Sequence, residues 1–172
     1  MYDFVSHFLD QFDYRHYSLV AIKKQKIVGD VETTMADVHS KETRSYNMSK
    51  IRGKDTKPEL LVRKYLHSQG FRYRLHLKTL PGKPDIVLPK YKVVIFVNGC
   101  FWHGHADCKY YVVPKTRTDW WLNKITTNIK NDRLATSELL AGGWKVIDVW
   151  ECELKKKIIN QTLLSLKSKI SQ

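Results

Sequence analysis

Pro84-Asp85-Ile86-Val87-Leu88-Pro89-Lys90-Tyr91-Lys92-Val93-Val94-Ile95-Phe96-Val97-Asn98-Gly99-Cys100-Phe101-Trp102-His103-Gly104-His105 is the stretch on which the fold turns. Asp85 to Leu88 and Lys92 to Val97 are two β-branched runs separated by Pro89-Lys90-Tyr91, and so read as a β-hairpin. Asp85 follows the Leu80-Pro-Gly-Lys-Pro84 turn and lies 12 residues before Val97. The strand ends that carry Asp85 and Val97-Asn98 can therefore be neighbours.

Upstream, Thr56 with Glu59 three residues later makes a capping box, and Pro58 falls in the first turn of the helix it opens. Leu60, Leu61, Tyr65 and Leu66 recur at helical spacing, and Gly70 stops the helix. Phe71 to His76 alternates apolar and basic residues, which predicts a half-buried strand. Ser40 to Lys54 is polar and basic, with Met48 and Ile51; it reads as a short helix or as an arm that orders on a partner. Downstream, Asp119 to Leu140 is a long helix carrying Trp121, Ile125, Ile129 and Leu139, ended by Gly142-Gly143. Trp144 to Trp150 is a strand whose two tryptophans are assigned to the core, and Ile158 to Ile170 is a terminal amphipathic helix. The order α-β-β-β-α-β-α predicts an α/β fold, a mixed central sheet flanked by helices.

The chain has 172 residues, 42% of them hydrophobic and 12% aromatic, enough for one domain with a real core. Its net charge of +13 is uneven. Residues 1–34 hold 4 Lys/Arg against 5 Asp/Glu, whereas residues 35–172 hold 26 against 12. A domain so basic points to a polyanionic partner, nucleic acid being the commonest; a generally basic soluble protein is the plainer alternative. Met35-Ala-Asp-Val-His-Ser40 looks like a native start, so residues 1–34 read as an upstream extension ahead of a domain at 35–172. A small helical appendage on that domain is the competing reading. The longest apolar run, Val93 to Val97, is far short of the roughly 20 residues that cross a bilayer. Asp3, Asp10 and Asp13 interrupt any secretory pattern. Both observations point to the cytoplasm, where Cys100, Cys108 and Cys152 read as metal ligands or free thiols rather than disulfides.

Four groups of residues could carry chemistry. A carboxylate at a strand head, as at Asp85, can hold Mg²⁺ for phosphodiester hydrolysis, although Pro-Asp is also ordinary turn chemistry. Cys100, His105, Cys108 and the distant Cys152 make three thiolates and an imidazole, a closed tetrahedral set for structural zinc; three buried thiols are the alternative. In a locally extended chain His103 and His105 would face opposite ways. That frees His103 to orient or deprotonate water, or to protonate a leaving oxygen, unless it is merely structural. Phe101-Trp102 and Trp120-Trp121 are aromatic pairs in polar segments, with Lys109, Lys115 and Arg117 between them. Such rings can stack on bases or wedge into a base step while the cations hold phosphates; core packing of one ring in each pair is the plain reading.

Several blocks together resemble the very-short-patch (VSR) mismatch-repair endonucleases of bacteria. They include Met35-Ala-Asp-Val-His39, Thr43-Arg-Ser45, Asn47-Met48, Asp55-Thr56, Leu80-Pro-Gly-Lys-Pro-Asp85, Val94-Ile-Phe96, Gly99-Cys-Phe-Trp-His103, Thr116-Arg-Thr118, Gly143-Trp144 and Val149-Trp-Glu-Cys152. The resemblance implies a restriction-endonuclease-like core of the PD-(D/E)xK superfamily with one structural Zn²⁺ and a catalytic Mg²⁺. It implies a strand-specific nick beside a T:G mismatch left by deaminated 5-methylcytosine. Asp85 then matches the metal-binding aspartate, Val97 supplies a backbone carbonyl to Mg²⁺, His103 is a catalytic histidine, and Glu59 is a helix carboxylate near the metal. Cys100, His105, Cys108 and Cys152 match the zinc ligands. Phe101, Trp102 and Trp121 match a wedge entering the duplex, and Met48 a residue entering from the minor groove. The implied partner is double-stranded DNA carrying a T:G mismatch, bound by a monomer in the bacterial cytoplasm at the nucleoid, with mismatch-repair proteins as candidate partners and no membrane.

Two departures stand out. Asn98 occupies the place of a second catalytic histidine, and asparagine can hydrogen-bond a water but cannot take its proton at neutral pH. The loop from His105 to Cys108 is one residue longer than the family pattern and lacks its histidine run. The rival expectations are a restriction-type nuclease on unmodified duplex and a zinc-stabilised mismatch-binding module that does not cut.

Overall fold

The computed structural model describes residues 40–50 and 53–172. The expected boundary at 34/35, the Met35–His39 block and Ile51 lie outside the described residues. Ser40 to Lys54 contains a helix, α1 (Lys41–Ser49), the first of the two readings of that segment. There follow α2 (Lys57–Ser68), β1 (Arg74–Leu75), β2 (Ile86–Leu88), a 3-10 turn at Pro89–Tyr91 and β3 (Val93–Asn98). The chain closes with α3 (Thr118–Ala141), β4 (Lys145–Trp150), a second 3-10 turn at Glu151–Leu154, and α4 (Ile159–Ser171).

The sheet is open and mixed, in the order β1-β2-β3-β4. β1, β2 and β3 pair antiparallel, whereas β3 and β4 run parallel from Val93↔Lys145 to Asn98↔Trp150. A parallel pair needs a long crossover, and α3 supplies it. Alternation along the strands sorts their side chains onto two faces. Ile86, Leu88, Val93, Ile95, Ile147 and Val149 join Val62 and Leu66 of α2 and Leu163, Leu166 and Ile170 of α4 in the larger core. Val87 and Val94 meet Leu139 of α3 on the opposite face, with Phe96, Trp144 and Val146 against them. Helices thus cover both faces of the sheet.

Three local expectations are corrected. The strand predicted over Phe71 to His76 shrinks to Arg74–Leu75, both exposed. Phe71 is buried and meets Tyr91 edge-on at 5.3 Å, and His76 turns to φ +46°, so the alternation is that of an extended lead-in with only two ladder residues. On α2, Leu60 is exposed, and the buried face is Glu59, Val62, Arg63 and Leu66. An ion pair displaces a leucine there, which hydrophobic spacing cannot foresee. Trp150 is half-buried at the end of β4 and stacks on His105 rather than entering either core cluster.

Gly82, at φ +68°, sits where the turn before β2 meets α3; an added Cβ would lie 2.7 Å from Cβ of Ala135 and 3.2 Å from the Phe96 ring. Gly82→Ala should therefore destabilise by about 1–3 kcal/mol through overpacking, with left-handed strain added. Urea unfolding with an unchanged midpoint would show that this contact yields freely.

Candidate active site and metal centre

β2 pairs with β3 only as far as Ile86↔Ile95, so the N–H of Val97 lies beyond the ladder. Asp85 completes it: Val97 N–H donates to Oδ2 at 2.8 Å. This bond joins the two strand ends and leaves Oδ1 of Asp85 facing Nδ1 of His76 at 3.8 Å. Desolvation pushes the Asp85 carboxyl above the usual carboxylate range, and nearby Glu59 adds to this, while the Val97 N–H works against it. A desolvated carboxylate at a strand end is an oxygen donor that suits a hard divalent cation.

Glu59 is buried and already committed. Its side chain accepts from Asp55 N–H, Thr56 N–H and the Thr56 hydroxyl, which forms the capping box of α2. Nη2 of Arg63, one turn on, bonds Glu59 at 2.6 Å and His76 Nε2 at 3.0 Å, and Nη1 bonds Asp55 at 2.5 Å. Asp55, Glu59 and His76 have ligand atoms close enough for a metal ion, but a guanidinium bonds all three and supplies positive charge there. Because arginine only donates, Nε2 of His76 accepts. Arg63 and His76 escaped the sequence reading, since neither belongs to a recognisable block; the Glu59/Arg63 spacing of four was the available signal.

The loop after β3 is not extended as expected. His103 N–H bonds Gly99 C=O, and His105 N–H bonds Cys100 C=O, so the segment winds in turns. His103 and His105 diverge nonetheless, with Gly104 between them at φ +60° and packed so tightly on α3 that a Cβ would lie 2.6 Å from Ile129. Nδ1 of half-buried His103 pairs with Asp132 at 2.7 Å. Asn128, one turn earlier on α3, donates to Trp102 C=O at 2.9 Å. Ile125, Asn128, Ile129 and Asp132 form one helix face, so two polar residues on an otherwise apolar stripe were a legible sign of Asp132. At the end of β3 buried Asn98 donates from Nδ2 to Asp148 at 3.0 Å.

Cys100, His105, Cys108 and Cys152 converge, with their ligand atoms all within 4.8 Å of one another. Cys152 Sγ lies 3.4 Å from His105 Nδ1, against about 3.5 Å between sulfur and nitrogen ligands on a tetrahedral zinc. The His105 ring stacks on Trp150, centroids 4.0 Å apart and planes 4° from parallel. Desolvation and the neighbouring thiols push Cys152 up to about 12, and desolvation raises Cys100. Burial also opposes ionisation of Cys108, but hydrogen bonds from the Tyr110 backbone and the other two thiols bring it below its ordinary value. Three thiols so close cannot all ionise unaided, and the donor set fits a thiophilic tetrahedral cation that would make thiolates of them.

Phe101, Trp102 and Trp121 form a triangle of edge-to-face rings with centroids 5.1, 5.2 and 5.9 Å apart. Trp120 adds a fourth ring 4.6 Å from Trp121, and Arg117 lies over Trp120. Phe101, Trp102 and Trp121 are half-buried, whereas Trp120, Lys115 and Arg117 are exposed. Met48 is exposed on α1.

Replacing the desolvated Asp85 should stabilise the metal-free fold. An acid with a raised folded pKa is most stabilising when protonated, and that contribution is lost as pH rises through the folded pKa. In EDTA at pH 7, Asp85→Asn, which keeps an acceptor for Val97, should melt at a higher temperature than the parent. The gap should close as pH falls through the raised pKa towards the ordinary carboxylate range. A gap independent of pH in calorimetric scans would refute the desolvation argument.

Residues 36–110 match the family described as DNA mismatch endonuclease Vsr. The chain is 55% identical over 125 residues to the type II nicking enzyme V.NmeAIP of Neisseria meningitidis, covering 73% of this chain and 89% of that one. It is 51% identical over 120 residues to the type II nicking enzyme V.XorIIP of Xanthomonas oryzae, covering 70% and 88%. To the DNA mismatch endonuclease Vsr of Escherichia coli it is 46% identical over 131 residues, covering 75% and 83%. Identity of this extent, over more than two thirds of each chain, places the chain in the Vsr DNA mismatch endonuclease family.

Proposed function

We propose that this protein nicks one strand of duplex DNA beside a T:G mismatch, in Mg²⁺-dependent hydrolysis that begins very-short-patch repair. The observation that carries the reading is the content of one loop. Gly99 to Cys108 holds three of the four Cys/His ligands, two of the four clustered rings, and a histidine backed by a carboxylate.

Mg²⁺, when bound by Asp85 and the Val97 carbonyl, supplies a Lewis acid for the scissile phosphate. His103 offers Nε2 to the attacking water because Nδ1 is bonded to Asp132, which orients the ring and stabilises it once it has taken the proton. Water attacks phosphorus, its proton passes to Nε2, and the bond to the 3′ oxygen breaks as that oxygen takes a proton from solvent, giving a 5′-phosphate and a 3′-hydroxyl. Glu59 acts on this site through its charge beside Asp85, and Asn98 by hydrogen bonding. The core that presents these residues is read as restriction-endonuclease-like. Zn²⁺ held by Cys100, His105, Cys108 and Cys152 would fix the loop.

Phe101, Trp102 and Trp121 are the wedge: a T:G wobble is cheaper to unstack than a Watson–Crick pair, so the rings enter there most readily. Met48 approaches from the other groove, and Lys115 and Arg117 hold phosphates. The net charge of +13 makes binding fall steeply with salt.

End-labelled duplexes with T:G or C:G in several methylation contexts test the reading, with Mg²⁺ or EDTA and an Asp85→Ala control. Mg²⁺-dependent single-strand cuts confined to T:G, and lost by a factor of about a hundred or more in the control, are expected. Equal cutting of both sets would mean a restriction-type nuclease, and tight binding without cutting a mismatch-binding module.

The purified protein should also contain about one equivalent of zinc by mass spectrometry, released by a strong chelator with a fall in melting temperature. Cys108→Ser should purify with far less metal. A metal-free protein that melts like the parent would remove zinc from the account.

A further inference from the structure

Asn98 is one of the few buried polar side chains among the described residues, with Glu59 and Arg63. A buried amide has to place a donor and an acceptor, and the network decides which way round it lies. Here the network is unambiguous. The atom facing Asp148, 3.0 Å away, must be Nδ2, because a carboxylate accepts. Oδ1 is therefore presented on the other limb of the amide.

The position matters. Asn98 follows Val97, whose N–H holds Asp85. Phe96↔Asp148 and Asn98↔Trp150 are ladder partners, so Asp148 stands beside the last residues of β3 on the face covered by α3. Its charge is coupled to both members of the His103–Asp132 pair. Asp148 is exposed as a residue, yet desolvation is the main cause that raises its carboxyl, Asp132 adds to it, and the Asn98 amide opposes it.

We propose that Asp148 is a positioning residue for the nuclease site: it clamps the Asn98 amide so that Oδ1 accepts a hydrogen bond from the attacking water. The water is then aligned by an acceptor that cannot take its proton, and His103 with Asp132 is left as the base. This rests on the endonuclease reading. It extends that reading to a residue outside the recognisable blocks, and it explains how an asparagine serves at that place in the fold.

The test is a double-mutant cycle on Asn98 and Asp148, read as kcat and KM for nicking under saturating Mg²⁺. Asp148→Ala should lower kcat about tenfold to a hundredfold with KM for the duplex little changed. Asn98→Ala should lose as much, and the double variant should be no worse than Asn98→Ala alone. Asp148→Asn keeps an acceptor for Nδ2 and removes the charge, so it should recover most of the loss; a metal ligand or a general base would not be rescued. Additive losses, an unrescued Asp148→Asn, or an Asp148→Ala variant with parental kcat would each overturn the proposal. Melting curves and the Asn98 side-chain amide resonances in ¹⁵N spectra separate a lost clamp from a lost fold. In the folded Asp148→Ala variant those resonances should move while the rest of the spectrum stays; an unmoved pair also overturns the proposal. If the parent protein cuts no duplex at all, the endonuclease reading fails first, and the proposal with it.

Discussion

The six-rung parallel ladder between β3 and β4 is the constraint from which the rest follows. Parallel strands finish at the same end of a sheet, so what comes after Asn98 and what comes after Trp150 must meet. Cys100 and Cys152, 52 positions apart in sequence, become neighbours for that reason. The Asn98–Asp148 bond and the stacking of His105 on Trp150 arise at the same end. The crossover that parallel pairing demands is α3, and this helix returns Trp121, Asn128 and Asp132 to the loop it left behind. The Cys/His cluster and the carboxylate of Asp85, with their different donor chemistry, thus lie at the same end of β3.

Much of this was legible in the sequence, for identifiable reasons. The hairpin around Pro89-Lys90-Tyr91 and the capping box at Thr56 and Glu59 are local, and local signals survive folding. The Cys/His set was legible because four ligands of matching chemistry, with no cysteine left over, are hard to place otherwise. The pairs that cross elements were not legible. Asp148 is an ordinary charged residue until β4 sets it against Asn98, and the helix stripe that marks Asp132 does not say that His103 is its partner. Arg63 is buried on the face of α2 that also carries Val62 and Leu66, and its worth comes from three partners drawn from three segments. The turns of Gly99 to Gly104 were missed because a run of aromatic, histidine and glycine residues follows no simple period.

The site is also where the fold carries its cost. Desolvation raises the carboxyl of Asp85 and the thiols of Cys100 and Cys152. Each resists the ionised form in which it would hold a cation, which is the pattern expected where function and stability pull apart. Arg63 works in the opposite sense: it neutralises Asp55 and Glu59 and steadies the start of α2 close to Asp85. Its Nε is buried without a hydrogen-bond partner, so even this compensation is incomplete.

The placing of the tryptophans gives the molecule an optical property. Of its five indoles, Trp102, Trp120 and Trp121 lie in one ring cluster and Trp150 lies flat on His105. Only Trp144 sits elsewhere, beneath Lys92. Four of the five indoles that absorb and emit for the chain therefore lie at its candidate site. Rings this close exchange excitation, and an indole stacked on imidazole is sensitive to whether that imidazole is protonated or bound. The site can be watched without a label.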